Sequence, residues 1–327
     1  MTDREADQLH LLATRIAATY GASDDPDLLR ELPLLTAGIP LRIRRALRQF
    51  ALGEAAGFFM LRGHRIDDDR IGPTPAHWRN RRDHPELPEE ILVLLYAALL
   101  GEPFGWATQQ DGNLVNDIFP IRENESQRLG TGSQVRLTLH TEDGFHPYRA
   151  DHIILGALRN PDRVPTTVAE LDVTALSDDE RRVLGEDRFV ILPDTSHLPR
   201  NNSMAGAAET FASIDALRCD EQRISVLHGS PTRPFLRLDE SYMTAVPGDT
   251  EAAEALAHAV ALLHTRAEVC VLDAGDFLFL DNQRVVHGRS PFRSRYDGTD
   301  RWFKRVNVSR DLTKSSDMRA AGSRLIG

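Results

Sequence analysis

The chain has 327 residues, 41% hydrophobic and 27% charged, an ordinary globular composition with ample material for a core and no case for intrinsic disorder. A formal net charge of −10 argues against a nucleic-acid binder, whose affinity rests on lysines and arginines that neutralise phosphates. The two cysteines, Cys219 and Cys270, form no CxxC pair, which excludes a thiolate zinc knuckle and argues against a secreted disulfide scaffold.

The first residues include Asp3, Glu5 and Asp7 and no apolar h-region, so they do not read as a signal peptide and a cytoplasmic protein is expected. Leu9, Leu12, Ile16 and Tyr20 recur at helical spacing and predict an amphipathic helix over 5–20. Residues 41–63 predict a second helix ending near Gly53, followed by a short buried strand in "GFFMLRG". The charged, proline-bearing stretch 65–88 reads as a surface connection. It leads to a helix over 88–100, whose apolar run "ILVLLYAALL" is about half the length that spans a bilayer, so a buried helix is expected and a membrane partner is not.

From about residue 105 the texture changes to short apolar runs with turn residues between them. They are "DHIILGALRN" at 151–160, "RFVILP" at 188–193, "EVCVLDAGDFLFLDNQRVVHGR" at 268–289 and "RWFKRVNVSRDL" at 301–312. Helical interruptions are expected at 176–184, where Ser177 and Glu180 have capping-box spacing, and at 249–266. There is no internal repeat. The pattern predicts an α+β chain with a mainly β core, a barrel or jelly roll flanked by helices. One domain over 1–327 is expected, mainly helical over 1–104, with the β core and its helical inserts over 105–312.

Several common signatures are absent. "GTGSQV" at 130–135 fails a GxGxxG pattern at Val135, and no Walker, HExxH or GxSxG motif occurs. The informative stretch is "RLTLHTEDGFHPYRAD" at 136–151, where Leu137 and Leu139 alternate into His140, Thr141 and Glu142. Strand periodicity puts His140 and Glu142 on one side and Thr141 on the other. Alone, such a pair reads as a structural hydrogen bond, and His146, His152 and His197 read as structural too.

A second cluster changes that. His287 closes a hairpin-like unit in "FLFLDNQRVVHGRSPF", and Arg301, Phe303 and Arg305 share one face of the predicted strand that follows. Two guanidinium groups on one face of an apolar strand are costly unless anions meet them. His140, Glu142 and His287 make a two-histidine, one-carboxylate set, which on octahedral iron(II) leaves three positions for a bidentate co-substrate and dioxygen. A zinc hydrolase with water in its open position uses the same ligands, although it has no use for a carboxylate-binding Arg301. A non-catalytic β-barrel binding protein stays open beside it.

His-Thr-Glu-Asp at 140–143, His-Gly-Arg-Ser-Pro-Phe at 287–292 and Arg-Trp-x-x-Arg at 301–305 together resemble the clavaminate synthase-like iron(II)/2-oxoglutarate oxygenases. Within that group the chain is most similar to hydroxylases of free amino acids of the arginine type. The resemblance runs from "EPFGWATQQDG" at 102–112 to residue 312. It implies a double-stranded β-helix, with iron(II) held by His140, Glu142 and His287 and with 2-oxoglutarate and dioxygen as co-substrates. Arg301 would hold the distal carboxylate of 2-oxoglutarate, with the hydroxyl of Thr166, or alternatively Thr167, beside it. Arg305 would hold the substrate α-carboxylate and Gln109, in preference to Gln110, the α-amino group. Asp194 and Asp239 would read the far end of the side chain.

One departure bears on the substrate. The arginine hydroxylases have a second acid two residues beyond the Asp239 position, where this chain has Ser241, and Glu240 would face away on a strand. Arginine, citrulline and lysine therefore stay open, as do hydroxylation at the β or γ carbon and desaturation or ring closure. The turn-rich loop 194–206 is expected to act as a lid; an open groove there would favour a carrier-tethered or peptide substrate. The implied setting is specialised, antibiotic-type peptide natural-product biosynthesis, and the oligomeric state is not legible.

Overall fold

The structure is a computed structural model and describes residues 1–80, 83–198, 211 and 222–327. Helix α1 (Asp3–Tyr20) starts on a Thr2–Glu5 capping box and stops at Gly21, whose φ of 75° suits glycine. Helix α2 (Pro26–Leu35) starts on the Asp25 side chain; it is not among the expected elements, because it is short and Pro33 interrupts its pattern. Helix α3 (Leu41–Ala51) and strand β1 (Phe58–Leu61) follow as the sequence predicts, except that β1 is half-buried along its length instead of buried. A short α4 (Asp68–Ile71) precedes α5 (Leu87–Leu100), which is buried along almost its whole length. Among the described residues no helix is long and apolar enough to cross a membrane.

The next strands are β2 (Glu102–Trp106), β3 (Val115–Ile118), β4 (Leu137–His140), β5 (His152–Arg159) and β6 (Thr166–Glu170). Helix α6 (Asp178–Leu184), with the expected Ser177–Glu180 capping box, leads to β7 (Phe189–Ile191), β8 (Arg223–Ile224), β9 (Leu227–Gly229), β10 (Pro234–Leu236) and β11 (Met243–Ala245). Helix α7 (Thr250–Thr265) precedes β12 (Glu268–Cys270), β13 (Phe277–Asp281), β14 (Val285–Arg289), β15 (Trp302–Ser309) and β16 (Leu325–Ile326).

The larger sheet runs β1-β13-β5-β15-β2-β16, with β3 also paired to β15; all its pairs are antiparallel except β16 with β2. A second, antiparallel sheet runs β12-β6-β14-β4. Among the described residues, two small sheets, β11-β7-β8 and β10-β9, complete the pairing. Period-two alternation sorts the strands' side chains into layers. Leu278 and Leu280 of β13, Ile153 and Leu155 of β5 and Phe303 of β15 share one apolar cluster with Val168 and Val285 of the second sheet. Phe277, Phe279, Ile154, Val306 and Val308 turn the other way and pack with α1, α2, α3 and α5. Helices α6 and α7 pack with Ala169 and Val286, on the second sheet's outer side.

On β15, Lys304 lies between Phe303 and Arg305 and points the opposite way. It is fully buried, with Nζ 2.6 Å from Asp117, 2.8 Å from Glu90 and 3.0 Å from Glu86. This anchor locks the strand to α5 and so determines which face Arg301 and Arg305 occupy. The part of the expected lid at 199–206 lies outside the described residues.

Candidate active site

The β4–β14 pairing sets His140 directly opposite His287, with ring centroids 4.4 Å apart. Strand β4 ends there because the fully buried Thr141 turns to the Leu238 backbone: its N–H donates to the Leu238 carbonyl at 2.7 Å and its hydroxyl accepts from the Leu238 N–H at 3.1 Å. Glu142 is then pinned by Asn282, which accepts from the Glu142 N–H at 2.8 Å and donates to its carbonyl at 3.1 Å. Gly288, next to His287, is required by packing: a Cβ there would lie 2.6 Å from the Leu137 carbonyl oxygen on β4.

Glu142 Oε2 lies 3.7 Å from His140 Nε2 and 3.3 Å from His287 Nε2, and the three donor atoms lie within 4.8 Å of one another. His140 Nδ1 is 2.9 Å from the Thr138 carbonyl, which assigns the proton to Nδ1 and leaves Nε2 for a metal. Burial opposes charge here, but the Glu142 hydrogen bond raises His140 to about 9, while burial and His140 push His287 down. Against burial, Arg305 and the two histidines hold Glu142 well below the usual carboxylate range. Two imidazole nitrogens and a carboxylate oxygen, clustered with Glu142 and His287 buried and His140 half-buried, are a donor set that fits iron(II).

A cavity of about 130 Å³ opens beside this triad. Its lining includes Arg301, Arg289 and Thr166. Arg301 is buried, its guanidinium 3.7 Å from the Phe303 ring centroid, and burial together with Arg289 lowers it to about 9. Among the described residues, Thr166 Oγ1 and Arg301 Nε are buried without a hydrogen-bond partner. An unpartnered hydroxyl beside a buried guanidinium suits a carboxylate, which is what the distal end of 2-oxoglutarate would bring. Thr166 is buried and lines the cavity; Thr167 is half-buried and does not.

Gln109, Arg305, Asp194 and Asp239 line the same cavity. Arg305 donates to Glu142 Oε1, to Gln109 Oε1 at 2.5 Å and to Asn116 Oδ1 at 3.1 Å. Gln109 Nε2 donates to Ser196 Oγ at 2.9 Å. Gln110 also borders the cavity, but its amide is engaged on both backbone groups of Asp117, at 2.7 and 2.9 Å. Asp239 Oδ1 accepts from the N–H groups of Ser241 and Tyr242 at 2.8 and 2.9 Å, and burial pushes its carboxyl up. Ser241 does not line the cavity; its hydroxyl meets Thr138 at 2.6 Å, and Thr138 does line it. Glu240 faces elsewhere, with Oε2 accepting from the Leu139 N–H at 3.1 Å and Oε1 3.0 Å from His264.

Several residues of this region carry no role expected from the sequence. Arg289 lies two residues after His287 on β14 and lines the same cavity, so period-two alternation alone would have found it. It donates to the carbonyls of Gly132 at 2.5 Å and Val135 at 3.1 Å and so holds the loop before β4. Ser196 and Tyr242 come from loops, where no period marks them.

No protein-family model matches the chain. Among curated proteins it is 38% identical to an enduracididine beta-hydroxylase of Streptomyces hygroscopicus, over 99% of this chain and 97% of that protein. It is likewise 38% identical to an L-ornithine/L-arginine 3-hydroxylase of Catenulispora acidiphila, over 94% and 92%, and 28% identical to clavaminate synthase 2 of Streptomyces clavuligerus, over 93% and 90%. Among solved structures, the non-heme iron oxygenase OrfP with iron, succinate and (3S)-hydroxy-L-Arg superposes with a TM-score of 0.97 at 51% identity, covering 100% of this chain and 98% of that one. OrfP with iron and alpha-ketoglutaric acid gives 0.91 at 49%, over 100% and 99%. These likenesses remove the zinc-hydrolase and non-catalytic alternatives. The chain belongs to the clavaminate synthase-like iron(II)- and 2-oxoglutarate-dependent oxygenases, among the hydroxylases of free amino acids.

Proposed function

We propose that this enzyme hydroxylates free L-arginine at its β-carbon. The observation that carries the reading is the shared lining: Arg305 and Gln109, suited to an α-carboxylate and α-amino group, border one cavity with His140, Glu142 and His287 and with the carboxylates of Asp194 and Asp239. Two acids at the side-chain end favour a cation, so arginine is preferred to citrulline although Ser241 replaces a second acid beyond Asp239. The β position is supported by likeness to a beta-hydroxylase and a 3-hydroxylase.

In this reading the two larger sheets are the halves of a double-stranded β-helix, and His140, Glu142 and His287 hold the iron. Iron(II), when bound, supplies the chemistry by which one atom of dioxygen enters the C–H bond as a hydroxyl and the other enters succinate as 2-oxoglutarate loses carbon dioxide. The protein's own part is positioning. Arg301, with Thr166, takes the distal carboxylate of 2-oxoglutarate, for which a fork of fixed charge suits better than an ammonium. Arg305 and Gln109 fix the backbone end of the amino acid, and Asp194 and Asp239 fix its guanidinium. Which carbon is presented follows from that clamp, since a displacement of about an ångström redirects or slows such a reaction by orders of magnitude. The setting in specialised metabolism rests on the Streptomyces relatives.

The test is a panel of arginine, citrulline, lysine, ornithine and asparagine, each incubated with iron(II), 2-oxoglutarate and air, with products identified by mass and NMR. Arginine gaining one oxygen atom at Cβ is the expected result. Product from citrulline or lysine but not from arginine would contradict the substrate; a hydroxyl confined to Cγ would contradict the position.

A further inference from the structure

The groups that meet at the site form a closed circuit. Glu142 is bonded in sequence to Asp143, whose Oδ1 is 2.9 Å from His197 Nε2. His197 follows Ser196, whose hydroxyl accepts from Gln109 at 2.9 Å. Gln109 accepts from Arg305 at 2.5 Å, and Arg305 returns to Glu142. Every group outside the Asp143–His197 pair borders the reaction cavity; that pair lies behind it.

The two sides of the circuit differ in kind. Asp143 and His197 have no exposed side-chain surface. Their remaining positions are filled: Trp106 Nε1 donates to Asp143 Oδ2 at 2.5 Å, and the Thr108 hydroxyl is 2.7 Å from His197 Nδ1. The imidazole is walled edge-on by Phe145 and Trp106, with centroids at 5.0 and 5.7 Å. Asp143, His197 and Asp194 are close enough to suggest a second metal site, but these bonds occupy the ligand atoms of Asp143 and His197, so they form a completed network instead. On the other side, Arg305 spreads its guanidinium over Glu142, Gln109 and Asn116 and keeps Nε without a partner. Any α-carboxylate that takes Arg305 competes with those three acceptors, so this side yields when substrate binds.

We infer that the Asp143–His197 pair is the fixed link that keeps Glu142 and Gln109 in register while substrate takes Arg305, and that His197 is a positioning residue which couples 2-oxoglutarate turnover to hydroxylation. This rests on the arginine-hydroxylase reading above. Beyond that reading it assigns a role to a side chain that touches neither iron, co-substrate nor substrate. With the link cut, the Asp194–His197 turn shifts against Glu142, which Asn282 still pins, and the substrate carbon is held loosely. Then 2-oxoglutarate is decarboxylated to succinate while the remaining oxidising equivalent of dioxygen is reduced by the ascorbate of the assay instead of entering a C–H bond.

The experiment compares wild type, His197→Gln and Thr108→Val; the last keeps the Asp143–His197 bond and removes only the outer hydroxyl. Arginine affinity is measured by calorimetry with manganese(II) and 2-oxoglutarate in the absence of oxygen, and the succinate-to-product ratio with iron(II) and ascorbate in air. For His197→Gln the expected result is an arginine affinity lower by on the order of 10- to 100-fold, with succinate exceeding product and with manganese and 2-oxoglutarate affinities unchanged. Thr108→Val shifts the same two quantities in the same direction, by less. Wild-type values in both variants would overturn the inference, as would a parallel loss of metal, 2-oxoglutarate and arginine binding, the mark of a merely structural role. If His197→Gln does not fold, Thr108→Val decides alone. A wild-type enzyme that makes no product from arginine would instead sink the proposed function.

Discussion

Glu142 divides its two carboxylate oxygens: Oε1 accepts from the Arg305 guanidinium, while Oε2 faces His287 Nε2 at 3.3 Å and His140 Nε2 at 3.7 Å. One oxygen is thus free to face a metal while the other is held by the residue proposed to receive the substrate. Arg305→Lys places one compact ammonium where three separate acceptors are now met. The expected outcome is an arginine KM higher by about 10- to 100-fold, the cost of losing one or two charge-assisted hydrogen bonds, with a smaller change in the 2-oxoglutarate KM. Steady-state succinate release with each substrate varied in turn checks it; an unchanged arginine KM would remove Arg305 from the substrate site.

Arg301→Lys separates the co-substrate end from the amino-acid end. Arg301 is buried against Phe303 with Nε unpartnered, and Thr166 Oγ1 is likewise free. The 2-oxoglutarate KM should rise by about 10-fold or more, because an ammonium cannot form the bidentate pair, while the arginine KM stays near wild type.

Gly288→Ala tests the β4–β14 register that brings the two histidines together. A Cβ 2.6 Å from the Leu137 carbonyl forces β4 to shift, and His140 with it. A loss of about 1–3 kcal/mol in stability is expected from the overpacking, together with weaker iron(II) binding in an anaerobic titration. Wild-type iron affinity in a destabilised variant would mean that the strand pairing does not set the ligand geometry.

Away from the site, His64 contributes a pH effect on stability, beside His146, His152 and His228, which burial lowers to about 3, about 3 and about 4. Burial lowers His64 from 6.5 to about 4, against the Gly275 carbonyl at 2.8 Å from Nδ1, and its Nε2 is 2.6 Å from the Tyr96 hydroxyl. The folded pKa lies below the unfolded one, so its contribution is complete above pH 6.5 and is lost as the pH falls from 6.5 toward 4. At pH 5 the loss is about 2 kcal/mol. Urea unfolding at pH 7 and pH 5 should show wild type losing that much more than His64→Gln; parallel losses would place the acid sensitivity elsewhere.

Much of this was legible because it is local or periodic. Arg301, which directly precedes β15, and Arg305 on it line one cavity as alternation predicts, and His140 and Glu142 follow from the end of β4. That His140 faces His287 is a pairing over a long sequence separation, which no local pattern encodes; only the combination of motifs suggested it. Helix α2 was hidden by Pro33, and Lys304 reads as an ordinary strand residue until Glu86, Glu90 and Asp117 are seen around it. His197 stands alone in a polar turn, and its partner Asp143 is 54 residues away, so nothing in the sequence distinguished it from a structural histidine. Ser241 was placed at the pocket by its spacing from Asp239, and the turn that follows Asp239 takes it to Thr138 instead.

The central claim is that the His140–Glu142–His287 centre inserts oxygen from dioxygen into free arginine. It is tested most directly by supplying ¹⁸O₂ to the iron(II)- and 2-oxoglutarate-loaded enzyme with arginine, in wild type and in Glu142→Ala. One labelled oxygen at Cβ of the product and one in succinate, both abolished in Glu142→Ala, is the predicted result. Unlabelled hydroxyarginine, or labelled product undiminished in Glu142→Ala, would contradict it.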